Sequence, residues 1–250
     1  MKLEKINFKS SRGLNLVGEL HIPENKTGSI VIISHGFAAR KDRERLIKMA
    51  DALSNKSIST LRFDFSGCGE SDEDFISVSR EIDDLKSAIK FVRDKGYKDI
   101  GLLGESLGGL VTLNAYDEEI KSVVLWAPVT DKRRPEIEEG IIESNEDVSK
   151  GDNDFVVHKK EGRDFRIKKE YFEERASVDK EKLLSKIKCP ILVIHGDADD
   201  TIPLEWSKYA VENLPKGSKL EIIKDGSHAL NDKMGEVIPL TSNWFKEHLK

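Results

Sequence analysis

The segment GLLGESLGGL, residues 101–110, places one serine, Ser106, between two glycines that are each two positions away. A strand-like apolar run ends here and a helix-like run begins, so the chain must turn sharply. In the pattern G-x-S-x-G the serine lies on a strained strand-to-helix turn that exposes its hydroxyl at the carboxyl end of a sheet. Side chains at Gly104 and Gly108 would collide with the neighbouring strand and helix. We therefore predict a nucleophilic serine, and the alternative is a turn that is tight only for packing.

A serine hydroxyl is a weak nucleophile at neutral pH and needs a base, and the chain offers six histidines. Three of them fit surface or packing roles better than catalysis: His21, His158 and His248. His35 and His195 each end an apolar run and precede a glycine. His228, in KDGSHAL, directly follows the last predicted strand, where a loop emerges on the same edge as Ser106. This placement favours His228 as the base.

The base in turn needs an acid that orients it and stabilises the imidazolium. The stretch HGDADDTIP follows the predicted penultimate strand and offers three aspartates, Asp197, Asp199 and Asp200. The residues alone leave this choice open, since turn-forming, solvated aspartates are also common in such loops. Stabilising a tetrahedral oxyanion needs two backbone N–H donors, and the N–H of Leu107, directly after the serine, is predicted to be one of them.

The elements that must position these residues alternate between strand and helix. The first 22 residues or so predict an antiparallel hairpin. Further strands are predicted at 28–36, 57–65, 99–105, 121–128, 189–196 and 219–226, and helices at 41–55, 77–96, 107–117, 203–214 and 233–249. This alternation predicts an α/β fold: a mostly parallel sheet of about eight strands with helices on both faces.

Residues 131–180 interrupt the alternation. The segment is dense in charge, poor in strand-like runs and too long for an ordinary connection. We predict a small cap, helical in part at IKKEYFEERA, inserted between the sixth and seventh strands of a single domain over 1–250. The alternative is a disordered charged loop, and the aromatic residues Phe155, Phe165 and Tyr171 argue against it.

Taken together, the motifs resemble those of the α/β-hydrolase superfamily. SHGF, DFSGCGES, GESLGG, HGDADDTIP and GSHAL follow one another in that family's order and approximate spacing, and the similarity covers nearly the whole chain. The resemblance implies the α/β-hydrolase fold, with its Ser…Asp…His chain order. It assigns the triad to Ser106, Asp199 and His228. It also implies an oxyanion hole formed by the N–H groups of Phe37 and Leu107.

Within the superfamily the chain is most similar to the small cinnamoyl and feruloyl esterase-like carboxylesterases, which share its compact core and an insertion of similar length. This resemblance implies serine-dependent hydrolysis of small to medium acyl esters, aromatic acyl groups included, through an acyl-enzyme. Three alternatives stay open: an aminopeptidase-like serine peptidase, an acyl-CoA thioesterase and a non-catalytic binding protein. The thioesterase would use a basic rim such as KRR at 132–134. The peptidase would hold a substrate amine with acidic residues, for which the candidates are Glu136, Glu138, Glu139 and Glu143.

Composition disfavours several other classes of protein. The net charge is −5, and acidic and basic residues are interleaved, so no basic stripe predicts a nucleic-acid partner. No apolar run approaches the roughly 18 residues of a spanning helix, and we expect no membrane span. The N-terminus lacks the apolar core of a signal peptide, so a cytoplasmic location is expected. The expected partner is a small-molecule ester, and a homodimer is left open.

No motif predicts a cofactor or a metal. RFDFSGCGESD lacks the third glycine of a dinucleotide-binding fingerprint. DADDTIPLE has Ile202 where a calcium-binding loop needs glycine. Cys68 and Cys189 lie far apart and form no metal-binding cluster, so free thiols are predicted.

Overall fold

The apolar runs of the sequence form strands and its amphipathic runs form helices in a computed structural model, which describes residues 1–132 and 155–249. The strands are β1 Lys2–Lys9, β2 Asn15–Ile22, β3 Ser29–Ser34, β4 Ser59–Phe63, β5 Asp99–Glu105, β6 Ile120–Trp126, β7 Phe155–Lys160, β8 Arg163–Lys168, β9 Ile191–Gly196 and β10 Lys219–Ile223. The helices are α1 Glu44–Ser54, α2 Val78–Asp94, α3 Leu107–Ala115, α4 Lys169–Ala176, α5 Lys180–Ser185, α6 Leu204–Asn213 and α7 Met234–His248.

Eight of these strands form one sheet in the order β1-β2-β4-β3-β5-β6-β9-β10. β2 runs antiparallel to both β1 and β4, and the other neighbours in the sheet are parallel. The α/β fold class predicted from the sequence, with its antiparallel N-terminal hairpin, is confirmed. Because parallel strands end at one edge, the loops after β3, β5, β9 and β10 emerge together.

Helices cover both faces of the sheet. On one face, Met49 of α1 and Phe245 of α7 belong to the same buried cluster as Leu103 of β5. On the other face, Leu85 of α2 and Val111 of α3 belong to the larger cluster. Because both faces are covered, all 6 residues of β3 and all 6 of β9 are buried. This burial explains why the central strands read as continuous apolar runs rather than alternating ones.

Backbone hydrogen bonds extend the strand pairing beyond the carboxyl edge of the sheet. The N–H of Ser106 donates to the carbonyl of Trp126 at 2.9 Å, and the N–H of Ala127 donates to the carbonyl of Ile194 at 2.8 Å. The residues just past β5 and β6 are therefore fixed against the neighbouring strands β6 and β9. The sheet consequently fixes the backbone position from which the side chain of Ser106 projects.

The described part of the predicted cap packs onto this body. β7 and β8 form a separate two-stranded antiparallel sheet. The N–H of Ile76 donates to the carbonyl of Arg166 at 2.7 Å, and the N–H of Lys168 donates back to the carbonyl of Ile76 at 3.0 Å. Phe165 and Ile167 of β8 are buried. The hairpin is thus attached to the loop before α2 by both backbone and apolar contacts.

The helix predicted within IKKEYFEERA is confirmed as α4, whereas the preceding hairpin and the short α5 were not predicted. The two strands of the hairpin, FVVHKK and RDFRIK, carry so many charged residues that their apolar alternation is short. Their turn has positive φ at Glu161 and Gly162, 53° and 72°. Such two-residue turns usually have Asn or Asp before the glycine, so Glu161 weakened the signal.

A buried hydrogen bond joins the sheet to the last helix, and its removal is testable. The indole N–H of Trp126 donates to Oγ1 of Thr241 at 2.9 Å, and both side chains are buried. Thr241→Val keeps the side-chain shape but leaves the indole N–H without an acceptor. We expect the free energy of unfolding, measured by urea denaturation, to fall by about 1–3 kcal/mol. In a Trp126→Phe background the same change should cost much less, and equal costs in both backgrounds would contradict the account.

Candidate active site

Ser106 has a backbone conformation that few non-glycine residues adopt, with φ 52° and ψ −116°. The glycines on either side make this turn possible. A Cβ at Gly104 would lie 2.5 Å from the carbonyl oxygen of Gly108 in α3, and a Cβ at Gly108 would lie 2.5 Å from the carbonyl oxygen of His35. Strain of this kind persists only where the surroundings impose it, and it is concentrated at functional sites.

The hydroxyl of Ser106 begins a chain of hydrogen bonds that joins three loops. Its Oγ lies 3.0 Å from Nε2 of His228, which follows β10. The other ring nitrogen, Nδ1, lies 2.8 Å from Oδ2 of Asp199, which follows β9. A carboxylate only accepts, so Nδ1 carries the proton and Nε2 accepts from the serine hydroxyl. The imidazole is therefore within reach of the hydroxyl proton in the tautomer that can remove it.

The carboxylate of Asp199 is buried and hydrogen-bonded on both oxygens. Oδ1 accepts from the N–H groups of Thr201 at 2.9 Å and Ile202 at 2.8 Å. Oδ2 contacts His228 and also lies 3.0 Å from Nε2 of His195. Burial alone raises the pKa of a carboxyl, but the hydrogen bonds from the two histidines and Ile202 outweigh it and lower the pKa of Asp199 below its ordinary value. The group therefore stays ionised beside the imidazole.

His195 is the residue at this site that the sequence did not reveal. It is fully buried, and its Nε2 faces two acceptors, the carbonyl of Ile202 and the carboxylate of Asp199, each at 3.0 Å. Nε2 must then carry the proton, so Nδ1 accepts from the hydroxyl of Ser207 at 2.7 Å. His195 thus holds the same carboxylate oxygen, Oδ2, that His228 contacts. Its spacing four residues before Asp199 was the available signal.

The other two aspartates of HGDADDTIP serve the turn. Oδ1 of Asp197 accepts from the N–H of Asp225 at 2.6 Å. Oδ1 of Asp200 accepts from the hydroxyl of Thr201 at 3.1 Å. Both side chains are on exposed residues. Of the three candidates, it is Asp199 that the fold brings to His228.

The two predicted oxyanion donors lie on either side of Ser106. Leu107 is the first residue of α3, so its N–H has no partner within the helix. Phe37 follows Gly36, which lies so close to the serine that a Cβ on it would be 3.4 Å from the Cβ of Ser106. Within the described parts of the chain, no acceptor takes the N–H of Phe37. Two donors are therefore available next to the hydroxyl.

The buried His35 supports the loop that carries Phe37. Nε2 of this buried histidine accepts from the N–H of Phe65 at 3.2 Å, so its proton is on Nδ1, which donates to the carbonyl of Gly36 at 2.9 Å. Burial, the largest influence, lowers the pKa of His35 and keeps it neutral. His35 is thus a support for the loop.

Residues of the insertion cover the same loop from above. The ring of Phe37 stacks on Tyr171 of α4, with centroids 5.2 Å apart, and His158 of β7 lies 5.5 Å from it. Nζ of Lys160, at the end of β7, donates to the carbonyl of Phe37 at 3.0 Å. The hairpin therefore borders the site, with one cation directly against the loop.

Other sequence predictions can be placed in the structure. Cys68 and Cys189 are free, as predicted. Burial raises the pKa of the Cys68 thiol well above its usual value, so it is not a poised nucleophile. Among the described residues, no cluster of three or more potential ligands could hold a metal, and no helix is long and apolar enough to cross a membrane. The suggested amine-binding glutamates, with two of the three residues of KRR, lie outside the described residues.

A family model described as serine aminopeptidase, S33, matches residues 25–146, just under half of the chain. The match includes Ser106 and Phe37 and ends before Asp199. Among curated relatives, 2,6-dihydropseudooxynicotine hydrolase of Paenarthrobacter nicotinovorans is 24% identical over 230 residues, 88% of this chain. The chain spans only 58% of the length of that relative.

Solved structures match over the whole chain. The esterase domain of a Rhodothermus marinus protein has a TM-score of 0.78 and 22% identity, covering 100% of both chains. Est1E of Butyrivibrio proteoclasticus, with ferulic acid bound, has a TM-score of 0.80 and 22% identity, covering 97% of this chain and 98% of its own. At these identities the likeness establishes a shared fold.

The lowered pKa of Asp199 predicts how stability depends on pH. An aspartate of the unfolded chain titrates near pH 4, and the folded group titrates lower. Its stabilising contribution is complete above about pH 5 and is lost as pH falls toward the folded pKa. We expect the difference in unfolding free energy between the native protein and Asp199→Asn to narrow between pH 6 and pH 3.

Urea denaturation at each pH measures this difference. Asp200→Asn, which removes the exposed neighbouring carboxylate, is the matched control. A difference that stays constant or widens on acidification would contradict the assigned environment of Asp199.

Proposed function

We propose that the chain belongs to the α/β-hydrolase superfamily and is a carboxylic ester hydrolase that works through Ser106. The proposal rests on one observation above all: the continuous hydrogen bonding from the Ser106 hydroxyl through His228 to the buried carboxylate of Asp199. A nucleophile, a base and a group that orients the base are the parts that acyl transfer to water requires.

Acylation uses these groups in sequence. As Oγ of Ser106 attacks the ester carbonyl, its proton passes to Nε2 of His228. The imidazolium that forms is stabilised by Asp199, whose lowered pKa keeps it anionic. The tetrahedral oxyanion accepts hydrogen bonds from the N–H groups of Phe37 and Leu107, and each such donor contributes about 3–4 kcal/mol of transition-state stabilisation. The alcohol then leaves with the proton from His228.

Deacylation reverses the roles. His228 takes a proton from water, the hydroxide attacks the acyl carbonyl, and the proton returns to Oγ of Ser106 as the acid departs. The network around His195 suits both half-reactions, because it keeps Asp199 fixed while His228 gains and loses a proton in each of them.

The substrates we propose are small to medium acyl esters, with aromatic acyl groups included. The support for esters is that similar folds include an esterase domain, and the support for aromatic groups is that Est1E binds ferulic acid. The site also borders aromatic side chains, since Phe37 and Tyr171 stack beside it. An ester of this size would contact the insertion as well as the triad.

A serine peptidase is the second candidate, favoured by the description of the matching family model. An aminopeptidase must bind a substrate ammonium, and anionic groups do this best. The cation of Lys160 instead contacts the Phe37 loop directly, with its Nζ 3.0 Å from the carbonyl of Phe37. We therefore rank ester hydrolysis first. A thioesterase would release a thiol where an ester hydrolase releases an alcohol. A binding protein would hold its ligand without hydrolysing it.

Replacing the nucleophile tests the proposal. Ser106→Ala should lower kcat/KM for 4-nitrophenyl butyrate by at least about 10⁴-fold, because no other hydroxyl can take its place on the strained turn. Ser227→Ala, an exposed serine beside His228, is the matched control and should keep native activity. Thermal unfolding of both variants checks that they fold. Full activity in Ser106→Ala would refute the assignment of the nucleophile.

A substrate panel separates the candidate reactions. We expect release of 4-nitrophenol from acyl esters and no measurable release of 4-nitroaniline from aminoacyl-anilides, because the cation of Lys160 against the Phe37 loop repels a substrate ammonium. Acyl-CoA thioesters complete the panel. Faster hydrolysis of anilides than of esters would favour the peptidase, and no hydrolysis of any member would contradict an enzymatic role.

A further inference from the structure

Lys160 holds a charge at a position that neither the triad nor the fold requires. It ends β7 of the inserted hairpin, and its Nζ donates to the carbonyl of Phe37 at 3.0 Å. Phe37 carries the proposed oxyanion donor, and the residue before it, Gly36, lies against Ser106. Phe37 and Gly36 therefore lie between the ammonium and the nucleophile. The ammonium is on the side of the site that the insertion covers.

The carboxylates closest to this ammonium are already paired. Glu161 bonds Arg43 at 2.7 Å and lies 3.9 Å from Arg40. Both carboxylate oxygens of Glu105 accept from the guanidinium of Arg45. Within residues 1–132 and 155–249, no carboxylate lies within the 4.0 Å of an ion pair with Lys160. Arg40 also lies 3.4 Å from Asp42, so four cations share three carboxylates along this side of the site.

The unpaired cation is also partly removed from water. Lys160 is half-buried, and burial, followed by the charge of Arg43, lowers the pKa of its ammonium. Partly burying a charge costs free energy unless an opposite charge accompanies it. A single carbonyl does not neutralise the ammonium. An arriving anion would supply the missing charge, so binding there is favourable for a ligand that carries one.

The chemistry of the cation indicates which anion fits. A lysine ammonium is a compact point charge of +1. It can neutralise one carboxylate, whereas a phosphate monoester carries about two negative charges at neutral pH and would be neutralised only in part. The three neighbouring guanidinium groups, those of Arg40, Arg43 and Arg45, are engaged with Glu161 and Glu105. A monoanion such as a carboxylate is therefore the better partner for the ammonium of Lys160.

We propose that Lys160 forms an anion subsite of the active site and that the preferred substrates are esters that carry a carboxylate. This inference rests on the proposed ester hydrolase function and deepens it by naming the substrate class. The carboxylate can belong to the acyl half or to the alcohol half of the ester, and the same ammonium would recognise either. A lysine that only fastened the carbonyl of Phe37 would affect charged and neutral esters alike.

Two matched pairs of esters test the subsite. The first pair is 4-nitrophenyl hydrogen glutarate and its methyl ester, which differ in a carboxylate on the acyl half. The second is 4-carboxyphenyl butyrate and its methyl ester, which differ on the alcohol half. We expect the native protein to prefer the charged member of at least one pair by about tenfold or more in kcat/KM. The pair that shows the preference identifies the half that Lys160 contacts.

Variants then assign the preference to one side chain. Lys160→Met should lower kcat/KM for the charged ester about tenfold more than for its neutral partner, and Lys160→Arg should retain most of the preference. Lys169→Met, which removes an exposed lysine from the same segment, is the matched control and should leave the preference unchanged. A further test uses the native protein. Added sodium chloride should reduce its preference for the charged ester, because salt screens the attraction between the ammonium and the carboxylate.

The possible results separate the anion subsite from the ester hydrolase function. Hydrolysis of neutral esters without a preference for either charged ester overturns the anion subsite and leaves the ester hydrolase standing. An equal loss for charged and neutral esters in Lys160→Met also overturns it, since the lysine would then only hold the loop. Failure to hydrolyse any ester, charged or neutral, overturns the proposed function and the subsite with it.

Discussion

The buried carboxylate of Asp199 is the point on which the site depends. A carboxylate is costly to bury unless its oxygens are hydrogen-bonded, and this one contacts two backbone N–H groups and two histidines. His195 comes from the end of β9 and His228 from the loop after β10, so one charged group joins two neighbouring loops. The imidazole of His228 contacts this fixed carboxylate through Nδ1 and the hydroxyl of Ser106 through Nε2.

Close backbone packing fixes the frame around that carboxylate. A Cβ at Gly196, which ends β9, would lie 2.0 Å from the carbonyl oxygen of Gly226 in the loop after β10. The N–H of Ala198 donates to the same carbonyl at 3.0 Å. The loops that carry Asp199 and His228 therefore touch through their backbones. The positive φ of Ser106 is maintained in the same manner, by glycines that allow strand and helix to approach.

Features encoded by local patterns were predictable from the sequence. Continuous apolar runs predicted the buried strands, and the glycine-flanked Ser106 predicted its own turn. The chain order and the strand ends pointed to His228, and the family resemblance selected Asp199 among three aspartates. Tertiary contacts decided the rest. The role of His195 depends on which acceptors face its Nε2, and the position of Lys160 depends on a hairpin whose charged strands show little apolar alternation.

The most direct test of the central claim is to locate the acyl group during turnover. The native protein is incubated with a slowly deacylating 4-nitrophenyl ester, quenched in acid, digested and analysed by tandem mass spectrometry. The account predicts the mass of one acyl group on the peptide that contains Ser106, and none in Ser106→Ala. Nitrophenol release with the acyl group on another residue, such as Lys160, or with no acylated peptide at all, would contradict it.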